Sequence, residues 1–109
     1  MTHAVVALAL PGVVAFDLST AAQVFGHPEE EEYSFEVVTS DGRQVPSSTG
    51  FQIAGVGDPS SLRQADTIVI PGYSPHTTPS DDVLEALRSA HSRGTRVVSI
   101  CTGAFALAP

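Results

Sequence analysis

Only one cysteine, Cys101, occurs among the 109 residues, which excludes an internal disulfide and is consistent with a reducing compartment. Basic residues are almost as scarce, with five against twelve acidic ones and a net charge of −7. Affinity for nucleic acid rests mainly on Lys and Arg, so this segment is not expected to touch nucleic acid. No apolar run is long enough to span a bilayer. Ala4 to Phe16 is apolar and close to the N-terminus, but no Lys or Arg precedes it and Pro11-Gly12 interrupts it. It reads as a buried first strand, not as a signal peptide or a membrane anchor, and a cytoplasmic location is the expectation. There is no glycine-rich phosphate loop, no internal repeat and no linker that would divide the chain. His3, His27 and His91 have no metal-ligand spacing, and neither metal nor cofactor is expected. The run Glu29 to Glu32 is a solvated loop, because adjacent carboxylates do not converge on one ion.

Hydrophobic content of 42% against 16% charged describes a core-forming chain, and its length suits part or all of one domain, taken as residues 1–109. The apolar run Ala4–Leu10, ended by Pro11-Gly12, predicts a strand covered on both faces. A short helix is expected over Thr20 to Phe25, with Thr20 and Gln23 as a capping box and Gly26 as its stop. Tyr33–Thr39 predicts a second strand, Asp41-Gly42 a turn, and Phe51–Val56 one arm of an edge hairpin. Asp58 to Leu62 predicts a helical turn and Thr67–Ile70 a buried strand closed by Pro71-Gly72-Tyr73. Ser80 caps a further helix whose first turn holds Asp81 and Asp82 and which Gly94 stops. Arg96–Ile100 is then a strand that runs straight into Cys101 and the start of another helix. This order predicts an α/β fold, a mostly parallel sheet with helices on both faces.

In such sheets ligands gather beyond the carboxyl ends of the strands. Three segments fall there: Pro11 to Asp17, Gly72-Tyr73, and Cys101-Thr102-Gly103. Free cysteines are usually small buried hydrophobes. A thiol at a strand-to-helix bend is different, because the helix start favours its reactive form. The Thr102 N–H would face the same space and act as an oxyanion donor, and Gly103 allows the chain to bend closely. Gly72 is either a simple turn residue or, beside such a cysteine, a second oxyanion donor. Asp17 either caps a helix or sets a carboxyl near the thiol for acid/base work. His76, in the loop after Gly72, is read as exposed, and His91 as a helix-surface residue.

These residues resemble the DJ-1/PfpI family of the class I glutamine amidotransferase-like superfamily. The matching pieces are Val5–Leu10 running into Gly12-Val13-Val14-Ala15-Phe16-Asp17-Leu18, then Thr67 to Gly72, then Ser99 to Ala108. The resemblance implies a flavodoxin-like domain, here its N-terminal part, ending soon after a nucleophile elbow. It implies Cys101 as nucleophile, Asp17 as the acidic residue beside it, and Gly72 and Thr102 as backbone donors. It is similar to two branches in particular. One comprises the small-molecule-sensing N-terminal domains of AraC-type transcription regulators. The other comprises isonitrile hydratases, which add water to an isonitrile to give an N-substituted formamide. A truncated, inactive reading frame is the third alternative; it would leave an open sheet edge prone to self-association. A small-molecule ligand or substrate is the expected partner, and since family members commonly pair, so is a homodimer. Two departures matter. Thr102 stands where peptidase- and glyoxalase-like members have His, so no Cys-His dyad is implied. Asp17 stands where DJ-1 has Glu, so its redox-sensing mechanism does not carry over.

Overall fold

A computed structural model describes residues 2–27, 32–54, 56–74 and 78–107. His76 and Glu29 to Glu31 lie outside the described residues. The first strand, β1 (His3–Leu8), leads through helix α1 (Ala15–Phe25) to β2 (Tyr33–Val38). A two-stranded antiparallel hairpin of β3 (Val45–Pro46) and β4 (Gln52–Ile53) follows, then a 3-10 helix over Pro59–Gln64. Strand β5 (Thr67–Ile70), helix α2 (Asp81–Ser92), strand β6 (Arg96–Ser99) and a second 3-10 helix, Cys101–Leu107, complete the order. The four long strands form one parallel sheet in the order β2-β1-β5-β6. No described helix is long and apolar enough to cross a membrane.

Side chains alternate across the sheet, and the apolar run near the N-terminus sorts its residues by size. Val6, Leu8 and Leu10 face the core shared with Ile68, Ile70 and the α2 residues Val83, Leu87 and Ala90. Val5, Ala7 and Ala9 face the opposite core, against Leu18 and Ala21 of α1 and Val69 of β5. Large residues lie under α2 and small ones under α1, so α1 can approach the sheet closely. That close approach carries the first turn of α1 toward the end of β5.

Two local expectations need correction. The first helix starts at Ala15, not Thr20, and its N-cap, Val14, makes no side-chain hydrogen bond. Thr20 is interior, and its hydroxyl donates to the Phe16 carbonyl at 2.9 Å, the back-bonding available to a mid-helix threonine. The helix begins early because Pro11 and Gly12 (φ +81°) have already turned the chain. The segment after β6 is wound as a 3-10 helix, not as the expected α-helix. Gly103 N–H donates to the Ile100 carbonyl, three residues back, at 2.9 Å, and this tighter winding keeps Gly103 against β5. Elsewhere the local signals hold. Ser80 Oγ accepts from Val83 N–H at 3.3 Å, Gly94 leaves α2 at φ +89°, and β5 spans Thr67–Ile70.

Candidate functional site

Strand order reverses between β1 and β5. From β1 the chain moves outward to β2, then returns to add β5 and β6 on the other side. A switch point of this kind is where parallel α/β sheets commonly receive ligands, beyond the carboxyl ends of the strands. Here hydrogen bonds join the loops leaving β1 and β5. Val14 N–H donates to the Gly72 carbonyl at 2.7 Å, and Ser74 N–H to the Pro11 carbonyl at 3.4 Å. Gly72 N–H donates to Asp17 Oδ2 at 3.2 Å. A Cβ on Gly12 would meet the Ser74 Cβ at 2.8 Å, so only glycine permits the loops to lie this close. The hairpin supports the same loop from outside, with Gly12 N–H donating to Pro46 O at 2.9 Å and Ser48 N–H to Val13 O at 2.8 Å.

Cys101 enters from the next strand. It is exposed and has φ +54°, the only non-glycine residue with positive φ among those described. This left-handed conformation costs an L-residue about 1–2 kcal/mol, and such strain gathers at functional positions. The bend is fixed from below. Ile100 N–H donates to the Ile70 carbonyl at 3.0 Å, and Gly103 lies so near β5 that a Cβ there would fall 2.0 Å from Ile70 O. Cys101 and Asp17 thus flank one short segment, Ile70-Pro71-Gly72, from two sides. Thr102 occupies the second position of the 3-10 helix. Tyr73, next to Gly72, is 3% exposed, and burial raises its phenol above the ordinary value. Among the described residues no His, Cys, Asp or Glu cluster could hold a metal.

Sequence reasoning singled out Asp17 and Gly72 separately but missed that they bond to each other. The expected oxyanion amide of Gly72 is held by a carboxylate. Asp17 is neither an N-cap nor a free acid. It lies in the first turn of α1 and accepts from the loop that follows β5. The expectation follows that Asp17→Ala, by leaving the buried Gly72 N–H without its acceptor, costs about 1–3 kcal/mol. Asp17→Asn, which keeps an acceptor oxygen, should cost less than half as much. Urea unfolding of both variants measures this, and equal losses would mean that the hydrogen bond contributes nothing.

A parallel four-stranded sheet in the order β2-β1-β5-β6, with helices packed on it, defines an α/β domain of the flavodoxin-like kind. The DJ-1/PfpI family profile matches residues 3–109, and the chain belongs to that family. It is similar to the Streptomyces lividans "uncharacterized protein in cpoL 5′ region", 35% identical over 109 residues that cover 96% of this chain and 77% of that one. Solved structures share the fold at lower identity. DJ-1beta from Drosophila melanogaster superposes with a TM-score of 0.82 at 23% identity, over 99% of this chain and 60% of its own. An AraC family transcriptional regulator from Pseudomonas putida gives 0.72 at 19%, over 96% of this chain and 59% of its own. The chain therefore spans about three-fifths of the length of these solved relatives.

Proposed function

We propose that this chain is the small-molecule-sensing part of an AraC-type transcription regulator, and that the crevice between Cys101 and Asp17 receives a small uncharged organic ligand. The observation that carries this reading is the Asp17 Oδ2 to Gly72 N–H hydrogen bond of 3.2 Å. Turnover at the thiol would require amide donors free where negative charge develops. Here one such amide is already bonded to a carboxylate, whose charge would also oppose an oxyanion. A neutral ligand meets neither obstacle, and it would read the two loops that the bond holds together. The similarity to the P. putida regulator supports the regulatory context. A cytoplasmic setting belongs with this reading, since it would keep the exposed Cys101 a free thiol.

One observation favours a second reading, an isonitrile hydratase. Cys101 is exposed at a strained bend, a conformation that suits a nucleophile. The sulfur would attack the terminal isonitrile carbon, Asp17 would handle the proton, and water would then displace the sulfur to release the formamide.

The two readings separate in one experiment. The protein is incubated with cyclohexyl isocyanide, and N-cyclohexylformamide is measured against Cys101→Ala. No formamide above the variant's background is expected. In parallel, alkylation of Cys101 by iodoacetamide is followed across a panel of neutral metabolites, at least one of which should slow it about tenfold by occupying the crevice. Formamide that depends on Cys101 would establish the hydratase instead. Failure of both arms would leave an inactive domain.

A further inference from the structure

We propose that a cavity on the α2 side of the clamped loops binds a small uncharged molecule with a hydroxyl group on an apolar body, about the size of phenol. The cavity holds about 180 Å³, close to the volume at which a protein interior admits a benzene-sized guest. It lies beyond the carboxyl ends of three adjacent parallel strands, the end at which such sheets receive ligands. Leu10 and Pro11 follow β1, Ser40 follows β2 and Tyr73 follows β5. Thr78, Pro79 and Ser80, which lead into α2, form a further wall. Leu10 and Tyr73 are 2% and 3% exposed and belong to the core shared with α2, whereas α1, which carries Asp17, packs on the opposite face. Neither Cys101 nor Asp17 lines the cavity, so this is a different site from the one beside the thiol. Nor does any described residue of β6 or of the 3-10 helix after it.

The lining selects the guest. Ser40, Tyr73, Thr78 and Ser80 bring hydroxyls, and Leu10, Pro11 and Pro79 bring apolar surface. Each hydroxyl can both donate and accept. Among the described residues no charged side chain lines the cavity. Tyr73 itself stays neutral at ordinary pH, because burial raises its phenol. An anion would therefore find no cation there. It would also meet the exposed carboxylates of Asp41 and Asp81, next in sequence to Ser40 and Ser80. Those carboxylates are solvated, so an ammonium group inside the cavity would exchange water for hydroxyls alone. A hydrocarbon would strip water from the hydroxyls and return no hydrogen bond. A neutral molecule with one hydroxyl avoids each of these penalties. Its apolar body meets Leu10, Pro11 and Pro79, and its O–H meets the lining hydroxyls.

The test is a titration of the isotope-labelled protein with phenol, followed by two-dimensional NMR. The backbone amide signals of Leu10, Ser40 and Tyr73 should shift along one saturating curve with a midpoint of about 1–10 mM, an ordinary affinity for so few atoms. Benzoate and benzene should each bind at least about fivefold more weakly, since one brings a charge and the other no hydroxyl. Ser40→Leu and Thr78→Leu each fill part of the cavity and should weaken phenol binding about tenfold or more. Thr78 is exposed, so the second substitution leaves the core untouched. Prior alkylation of Cys101 with iodoacetamide should leave the midpoint unchanged. Absence of saturation, benzoate or benzene binding as tightly as phenol, or a midpoint that neither leucine variant moves would overturn the proposal. Loss of binding after alkylation would place phenol beside Cys101 and overturn it as well, while supporting a ligand at that other site.

Discussion

Gly103→Ala is expected to lose at least about 3 kcal/mol of stability, beyond the usual range for an added methyl group in a packed site. The new Cβ would lie 2.0 Å from Ile70 O, 2.9 Å from the Ile70 carbonyl carbon and 3.1 Å from Pro71 O. All three are backbone atoms, so no side chain can rotate aside. Either β5 must shift within its sheet or the Cys101 bend must lift away from it. A fall in Tm of roughly 12 °C or more follows for a chain of this size, and thermal unfolding checks it. Gly50→Ala is the control. Gly50 has φ +96°, and a methyl group added there would meet nothing within 4 Å, so this variant should lose only the conformational cost of about 1–2 kcal/mol. If Gly103→Ala proved as mild as Gly50→Ala, the close seating of the bend on β5 would be wrong.

Cys101 carries the other large effect. Cys101→Ala and Cys101→Gly should both abolish alkylation at this site, since no other thiol exists. Their stabilities should nevertheless differ. Alanine retains the penalty of φ +54°, whereas glycine adopts that angle freely but gives up entropy in the unfolded chain. Glycine is expected to be the more stable variant by about 0.5–1 kcal/mol. Guanidinium titrations of the two measure the strain directly. An alanine variant at least as stable as the glycine variant would show that the bend is unstrained. The sequence retains a thiol where glycine would fit better, which is the pattern of a residue kept for chemistry or binding.

Strands β1, β5 and β6 were legible as short apolar runs beside turn residues, whereas the two residues of β3, Val45–Pro46, carry no such pattern and were not read as a strand. Thr67–Ile70 between Asp66 and Pro71 is the clearest case, and Ser80 with Asp81, Asp82 and Gly94 marked α2 as plainly. The start of α1 was hidden because Val14 caps it without a polar side chain, so the Thr20–Gln23 pair offered a false signal. Cys101 and Asp17 were identifiable as site residues by their places after strands. The bond between Asp17 and Gly72 was not, because it spans 55 positions and depends on how near α1 can come to the sheet. One trace of it did exist in the sequence. Within Val5–Leu10 the residues facing α1 are Val, Ala and Ala, and the others are Val, Leu and Leu. That asymmetry encodes a thin layer on one side, and a continuous apolar run conceals it unless alternate positions are compared.

Strands β1 and β5 each supply side chains to both hydrophobic layers, Ile68 and Ile70 to one and Val69 to the other. Neither layer therefore has a wall of its own. Loosening the contacts of α2 withdraws support from the strands on which α1 rests, so the two sides of the molecule have no independent melting behaviour and must come apart in a single concerted event. Evolutionary drift is tied in the same way, since a change of volume on one side of these strands is felt by residues that never meet it.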